Sequence, residues 1–366
     1  MKKNNKSHYL SLIAGSLATF FLSTAIATPP TDLPEQAQAK VNVAPHRAFK
    51  LQYGNLQALI QPLYTTVNAP ADYIISAGGI YDGVAKLFLT LSAGDFGCSG
   101  ALLSSGIHVL TAAHCLSDEA GNDIFISGSA IFEGDEGVQV KNISAIHVHP
   151  DWDGDIMRGN DIAIVTLESE LSNDIARYDI DRNKDDDLAV IEKIGFGLFG
   201  LGDFGAGGSF GTKRGGQNQY DAYADTMLKA FGFRSKRDFV PGSVLQYDFD
   251  NGNPNNDAFD FFFGKSDTGL GSDEVMSAPG DSGGPSLKMG TLTGITSYGM
   301  TLSYTNGATS DVTPGLDSSF GEFGADTRVS KYASWIDSIL SPDSIDDGGT
   351  NTGSKCSPGK RNRGLC

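Results

Sequence analysis

Short runs in which apolar residues occupy alternate positions recur from about Ile80 to Leu340, separated by turn-forming residues. Lys86–Leu91 reads KLFLTL, Ile162–Leu167 reads IAIVTL and Leu292–Tyr298 reads LTGITSY. A strand sends successive side chains to opposite faces, so these runs predict short β-strands with one face buried. The pattern changes near the end. Across Arg328–Leu340, Val329, Tyr332, Ile336 and Leu340 recur at a spacing of three or four, which predicts a helix with one apolar face. Between the strand runs, the glycine-rich stretch Gly195–Gly216 predicts a long mobile loop. Its glycines match neither a Walker nor a dinucleotide spacing, and no βαβ pattern surrounds it.

The two ends of the chain follow other rules. Lys2, Lys3 and Lys6 precede an apolar stretch from about Leu10 to Leu22, and Ala25-Ile26-Ala27 supplies small residues for cleavage. Residues 1–27 therefore read as a signal peptide, too short and too often interrupted by Ser and Thr to span a membrane. Residues 28–79 form an Ala-, Pro- and Gln-containing leader, a propeptide or a linker. Residues 341–366 form a tail rich in Gly, Ser and Asp, then basic, with little to bury.

Composition agrees with many strands joined by turns: 46 of 366 residues are glycine, and 40% are hydrophobic, enough for a sizeable core. The formal net charge is −17, and loss of the signal takes it to about −20. Such a surface repels phosphate backbones and anionic lipid headgroups, which excludes a nucleic-acid partner and predicts a soluble protein with no membrane span after signal removal. The expected location is extracellular or periplasmic. Four cysteines, Cys98, Cys115, Cys356 and Cys366, allow three pairings in an oxidising compartment. Cys98–Cys115 with Cys356–Cys366 is the most local.

No cofactor and no metal are assigned. Neither cysteine pair has zinc-ligand spacing. Asp181–Asp187 mimics a calcium loop but carries Asp186 where the turn requires glycine. Asp248, Asp250, Asn251, Asn253 and Asp257 form a second oxygen-rich cluster, read as a solvated acidic loop.

Three motifs carry chemistry. Gly280-Asp281-Ser282-Gly283-Gly284-Pro285 is a glycine-padded turn around a serine. A serine hydroxyl needs a base to become a nucleophile, and glycines allow both a sharp bend and close approach of substrate. The N–H groups of Gly280 and Ser282 can then converge on one oxyanion. His114, in Val109-Leu110-Thr111-Ala112-Ala113-His114-Cys115, is the candidate base, and a bridge from Cys115 to Cys98 would fix its ring. Asp161, at the mouth of the Ile162–Leu167 run, can accept from the other imidazole nitrogen and set the tautomer.

The order His114, Asp161, Ser282 and the motifs around them resemble the chymotrypsin/trypsin family of serine peptidases, over about residues 80–340. The resemblance implies two six-stranded antiparallel β-barrels with a C-terminal helix, a cleft between them, and a monomer acting on protein or peptide substrates. The 47 residues from His114 to Asp161 fit that family, whereas the 121 from Asp161 to Ser282 are long, the excess falling in the glycine-rich stretch and in Asp248–Asp257. Ser297-Tyr298-Gly299 resembles the segment that pairs with substrate backbone, its serine bonding the aspartate. Met276 and Ser277 match the base of the specificity pocket, Gly299 and Gly324 its open walls, and Asp326 its rear. With Met276 at the base, the pocket is expected to prefer an apolar or aromatic residue, although Asp326, Asp273 or Glu274 would recruit Lys or Arg if one faced the pocket. The family also pairs a freshly cut amino terminus with the aspartate before the nucleophile, here Asp281. That predicts maturation near Ile80, the closest match to the usual new terminus.

Overall fold

The computed structural model describes residues 42–43, 49–53, 56–61, 65–183, 189–235 and 237–341. The expected signal peptide, the tail beyond residue 341, Cys356 and Cys366 lie outside the described residues. Among those described, no helix is long and apolar enough to cross a membrane.

Six strands make the first half: β1 (Val84–Leu91), β2 (Gly94–Leu102), β3 (His108–Thr111), β4 (Phe125–Gly134), β5 (Gly137–Val148) and β6 (Ala163–Leu167). Antiparallel ladders run β2-β1-β4-β5-β6-β3, and β3 returns to β2 through Ala101↔Leu110 and Leu102↔Val109. The sheet is thus a closed barrel without free edges. The alternation in KLFLTL fills its interior: Leu87, Leu89 and Leu91 are buried, as are Val109, Phe132 and Ile164.

The second half uses β7 (Val190–Gly195), β8 (Arg214–Gln219), β9 (Val244–Asp248), β10 (Pro285–Lys288), β11 (Thr291–Tyr304) and β12 (Phe323–Arg328). Their order is β8-β7-β10-β11-β12-β9, again antiparallel. Here the expected second barrel is not closed, because β8 and β9 share no ladder. Instead the side-chain amide of Asn218 donates to the carbonyls of Asp248 and Val275, both at 2.9 Å. The fold is mostly β, as the strand pattern predicts, with one closed barrel and one open, curved sheet.

Two other segments differ from expectation. The glycine-rich stretch is not all loop: Gly200–Leu201 pairs with Gly205–Ala206, and β8 begins at Arg214. The leader also contributes structure. Leu56–Gln61 lies antiparallel along β11, from Leu56↔Tyr304 to Gln61↔Gly299, and Phe49–Tyr53 pairs with it. Thr65–Thr66 then pairs with Val275–Met276.

The terminal helix forms as its periodicity predicts, with a 3-10 turn over Val329–Tyr332 leading into Ala333–Leu340. Val329, Tyr332 and Ile336 are buried. Full burial of a side chain such as Ile336 stabilises by about 1.5–3 kcal/mol, which is what docks so short a helix.

Candidate active site

The turn after β3 presents His114, which is buried. Cys115, its neighbour, is disulfide-bonded to Cys98 in β2. That crosslink ties the histidine turn to the barrel wall, one of the roles the sequence proposes for it. The imidazole Nδ1 lies 2.7 Å from Asp161 Oδ2, and the His114 amide donates to Asp161 Oδ1 at 2.9 Å. One carboxylate thus holds both the ring and the backbone of the histidine.

Asp161 is held from three further sides. Ser297 Oγ donates to its Oδ2 at 2.5 Å, and Thr327 Oγ1 donates to its carbonyl at 2.8 Å. Asn160, just before it, takes a left-handed φ of 64°, a conformation asparagine tolerates better than most residues. The Tyr332 hydroxyl accepts from the Asn160 amide at 2.8 Å and donates to its Oδ1 at 3.1 Å. Burial pushes the Asp161 carboxyl up, but His114 and the hydrogen bonds from His114 and Ser297 outweigh it and leave its pKa below the usual value. It is therefore an anion at neutral pH. Tyr332 was legible only as an apolar-face residue of the helix, since nothing in its spacing pointed to the hydroxyl.

The serine turn needs its glycines. Gly280 has φ +100° and Gly283 φ +79°, and a Cβ on Gly283 would stand 2.0 Å from Thr111 Oγ1. Close packing of the turn on the first barrel sets Ser282 against the turn that carries His114: its carbonyl accepts from Ser99 N at 2.8 Å and lies 3.7 Å from Cys115 Sγ. Ser282 Oγ is buried, with no hydrogen-bond partner among the described residues. The N–H groups of Gly280 and Ser282 likewise donate to no other described residue.

Parts of the chain are similar to known proteins. A family model described as Trypsin matches residues 82–201. A "Trypsin" of Saccharopolyspora erythraea is 25% identical over 203 residues, 55% of this chain and 75% of that protein. The "Serine protease Hayan" of Drosophila melanogaster is 33% identical over 103 residues, 27% of this chain but only 16% of that protein. Among solved structures, one titled HL collagenase covers 75% of this chain and 97% of its own, at 19% identity and a TM-score of 0.49. The family model and the curated matches support a trypsin-like serine peptidase family for this chain. They support, in turn, a peptidase, a hydrolase whose substrates are proteins or peptides.

Met276, Ser277, Tyr298 and Asp326, which the resemblance assigns to substrate binding, are all buried. Asp326 is held by a lysine of the same sheet. It is fully buried, with both oxygens within 2.9 Å of Lys193 Nζ, and its Oδ2 accepts from Tyr220 OH at 2.7 Å and Ser286 Oγ at 2.5 Å. Burial pushes the Lys193 ammonium down from its ordinary value, against the pull of Asp326. Gly324 does not simply open a wall: a Cβ there would stand 2.1 Å from the Tyr247 ring. Tyr247 reaches on to Ser277 Oγ at 2.9 Å, and Met276 packs with Tyr247, Leu245 and Phe249 in a core cluster. Tyr298 is buried, and Gly299 carries the leader strand. Glu274 is also turned inward, accepting from the amides of Asp250 at 2.7 Å and Leu270 at 2.6 Å. Lys193 and Tyr247 were missed by the sequence reading, since each sits in an ordinary strand pattern.

Asp281 is buried with its oxygens on two amides, Gly197 N at 2.8 Å and Ala278 N at 2.9 Å. A Cβ on Gly195 would lie 1.9 Å from its Oδ1, so the glycines at the end of β7 make room for this carboxylate. Desolvation raises its pKa to about 7, although the Gly197 amide, Lys193 and Arg214 act the other way. Ile80 is 63% exposed, and its carbonyl accepts from Tyr178 OH at 2.8 Å.

A cavity of ≈ 500 Å³ opens between Tyr73, Tyr81, Glu192 and Gln217. None of His114, Asp161 and Ser282 lines it.

Proposed function

We propose that this chain is a secreted serine endopeptidase, made as a precursor, that cleaves peptide bonds through an acyl-enzyme on Ser282. The observation that carries the reading is the Asp161 carboxylate, held ionised and fixed on His114 Nδ1 beside the Ser282 turn. With Nδ1 donating to Asp161, Nε2 is the basic nitrogen and takes the Ser282 proton as Oγ attacks the carbonyl. The amides of Gly280 and Ser282 stabilise the oxyanion. The intermediate collapses, the amine leaves with the proton from His114, and water attacks the ester by the same route in reverse. The Cys98–Cys115 bond supports an oxidising compartment.

The leader supports the precursor reading. Substrate strands add to sheet edges through main-chain hydrogen bonds. Gln61 already pairs with Gly299, the residue assigned to substrate backbone, so leader and substrate compete for one edge. The alternative, a binding module on a protease fold, predicts an inert serine. A serine-directed phosphonate separates the two. The matured protein should label rapidly at Ser282 and the full chain slowly, with mass spectrometry giving the new amino terminus. Ser282→Ala should not label at all. A matured wild-type protein that stays unlabelled would leave only the binding reading.

Specificity follows from Tyr247. With its ring beside Gly324 and Met276 in the core cluster, the pocket is shallow and takes a small apolar residue before the scissile bond. Profiling on a peptide library should give cuts after residues the size of Ala or Val. Exclusive cutting after Lys or Arg would reverse the assignment.

A further inference from the structure

The acidic segment after β9 is not a solvated loop. Asp248, Asp250 and Asp257 are 2%, 3% and 0% exposed, and one carboxylate oxygen of each lies within 4.8 Å of the others. Asp248 ends β9, and its Oδ2 accepts from Phe259 N at 2.8 Å. Asp257 caps the helix Ala258–Phe263, accepting from Asp260 N at 2.7 Å and Asp267 N at 2.9 Å. Asp250 differs from both. Its Oδ1 is buried and has no hydrogen-bond partner among the described residues.

No Lys, Arg or His among the described residues forms an ion pair with any of the three. Lys265 reaches the rim but donates to the backbone oxygen of Asp221 at 2.8 Å. Asp221 and Glu274 add further carboxylates around the cluster. The asparagines of the segment are otherwise engaged: Asn251 Oδ1 accepts from Asn253 N at 2.9 Å, and Asn253 Oδ1 from Asn255 N at 3.1 Å.

A buried carboxylate requires either a proton or a cation. Ligand oxygens of one calcium ion stand 2.3–2.6 Å from it, so any two of them lie within about 5 Å of each other, as these three do. The donors are all oxygen, which selects a hard cation over zinc or copper. We propose that Asp248, Asp250 and Asp257 form a calcium site, with the unpartnered Oδ1 of Asp250 as a direct ligand. Waters complete the six to eight positions calcium prefers. Magnesium, which needs a tighter octahedron and gives up water reluctantly, is the poorer fit.

The position gives the ion a structural role. The Asp250 amide donates to Glu274, and Asn218 joins the carbonyls of Asp248 and Val275. The site therefore braces the segment that leads through Met276 to the serine turn.

Calcium chloride titrated into the full chain, stripped with chelator, tests this by calorimetry and melting. The expected result is one calcium per chain and a rise of about 5 °C in Tm at a hundredfold excess over Kd, with little change in magnesium. Asp250→Asn should abolish both responses while raising the Tm of the metal-free chain, because it removes the unpartnered carboxylate. Should that variant not fold, terbium bound to the wild type gives the second readout, and calcium should displace it while magnesium should not. Equal melting in calcium and chelator with no heat of binding would overturn the proposal. So would an Asp250→Asn protein that binds calcium like the wild type.

Discussion

Asp326 and Asp250 lie in the same half of the molecule, both almost wholly buried, yet one is matched and the other is not. Asp326 has Lys193 on both oxygens, with Tyr220 and Ser286 filling the remaining acceptor capacity. The Lys193 ammonium also sits 4.6 Å from the centre of the Tyr247 ring. Asp250 has carboxylates as neighbours and an oxygen without a donor. The difference teaches where each charge gets its partner. Inside the sheet, where the order β7-β10-β11-β12 brings Lys193, Ser286 and Asp326 together, the chain supplies its own cation. At the exit of β9, where loop replaces ladder, the cation has to come from solution.

The sharpest way to break this comparison is to unmatch Asp326. Removing one partner of a buried ion pair leaves an uncompensated charge and costs about 3–5 kcal/mol, whereas replacing both is often neutral. Lys193→Met should therefore lower the denaturant midpoint severely. Lys193→Met with Asp326→Asn should recover most of the loss, because the amide oxygen still accepts from Tyr220 and Ser286. Urea unfolding of the three proteins checks this. A loss under 1 kcal/mol in the single variant would mean that Lys193 is not the compensating charge.

These partners also mark the limit of what the sequence makes legible. His114, Asp161 and Ser282 were readable because each lies in a local motif, and so was the Ser297–Asp161 bond through the resemblance. The alternating runs located the strands, and the spacing of Val329, Tyr332 and Ile336 located the helix. Lys193 and Asp326 are 133 residues apart, and only the β7-β10-β11-β12 order brings them together. The same holds for Tyr247, which takes the space beside Gly324 through the β9–β12 ladder. Asp248, Asp250 and Asp257 were visible as a cluster, but polarity alone suggested solvent. Their burial follows from how β9 and the Phe-rich helix pack, with Phe259 and Phe323 in edge contact at 5.0 Å.

Asp281 lies between the two extremes and sharpens the comparison with a smaller effect. Two amides satisfy its oxygens, while Lys193 and Arg214 act on it only electrostatically. Its pKa is raised to about 7, from an ordinary 3.8. A carboxyl whose pKa is raised on folding binds its proton more tightly in the native state. Its stabilising effect is therefore complete below about pH 4 and is lost as pH rises toward 7. Between pH 5 and 7 this amounts to about 2 kcal/mol. Asp281→Asn removes that slope but leaves one of the two amides facing an NH2 group, so the variant should be less stable at pH 5 and should lose less on going to pH 7. Melting curves of wild type and variant across this range, with chelator present so that calcium does not contribute, measure the difference directly. Parallel curves would mean that Asp281 is ionised throughout, and that Lys193 compensates this second carboxylate from a distance as fully as it does Asp326 by contact.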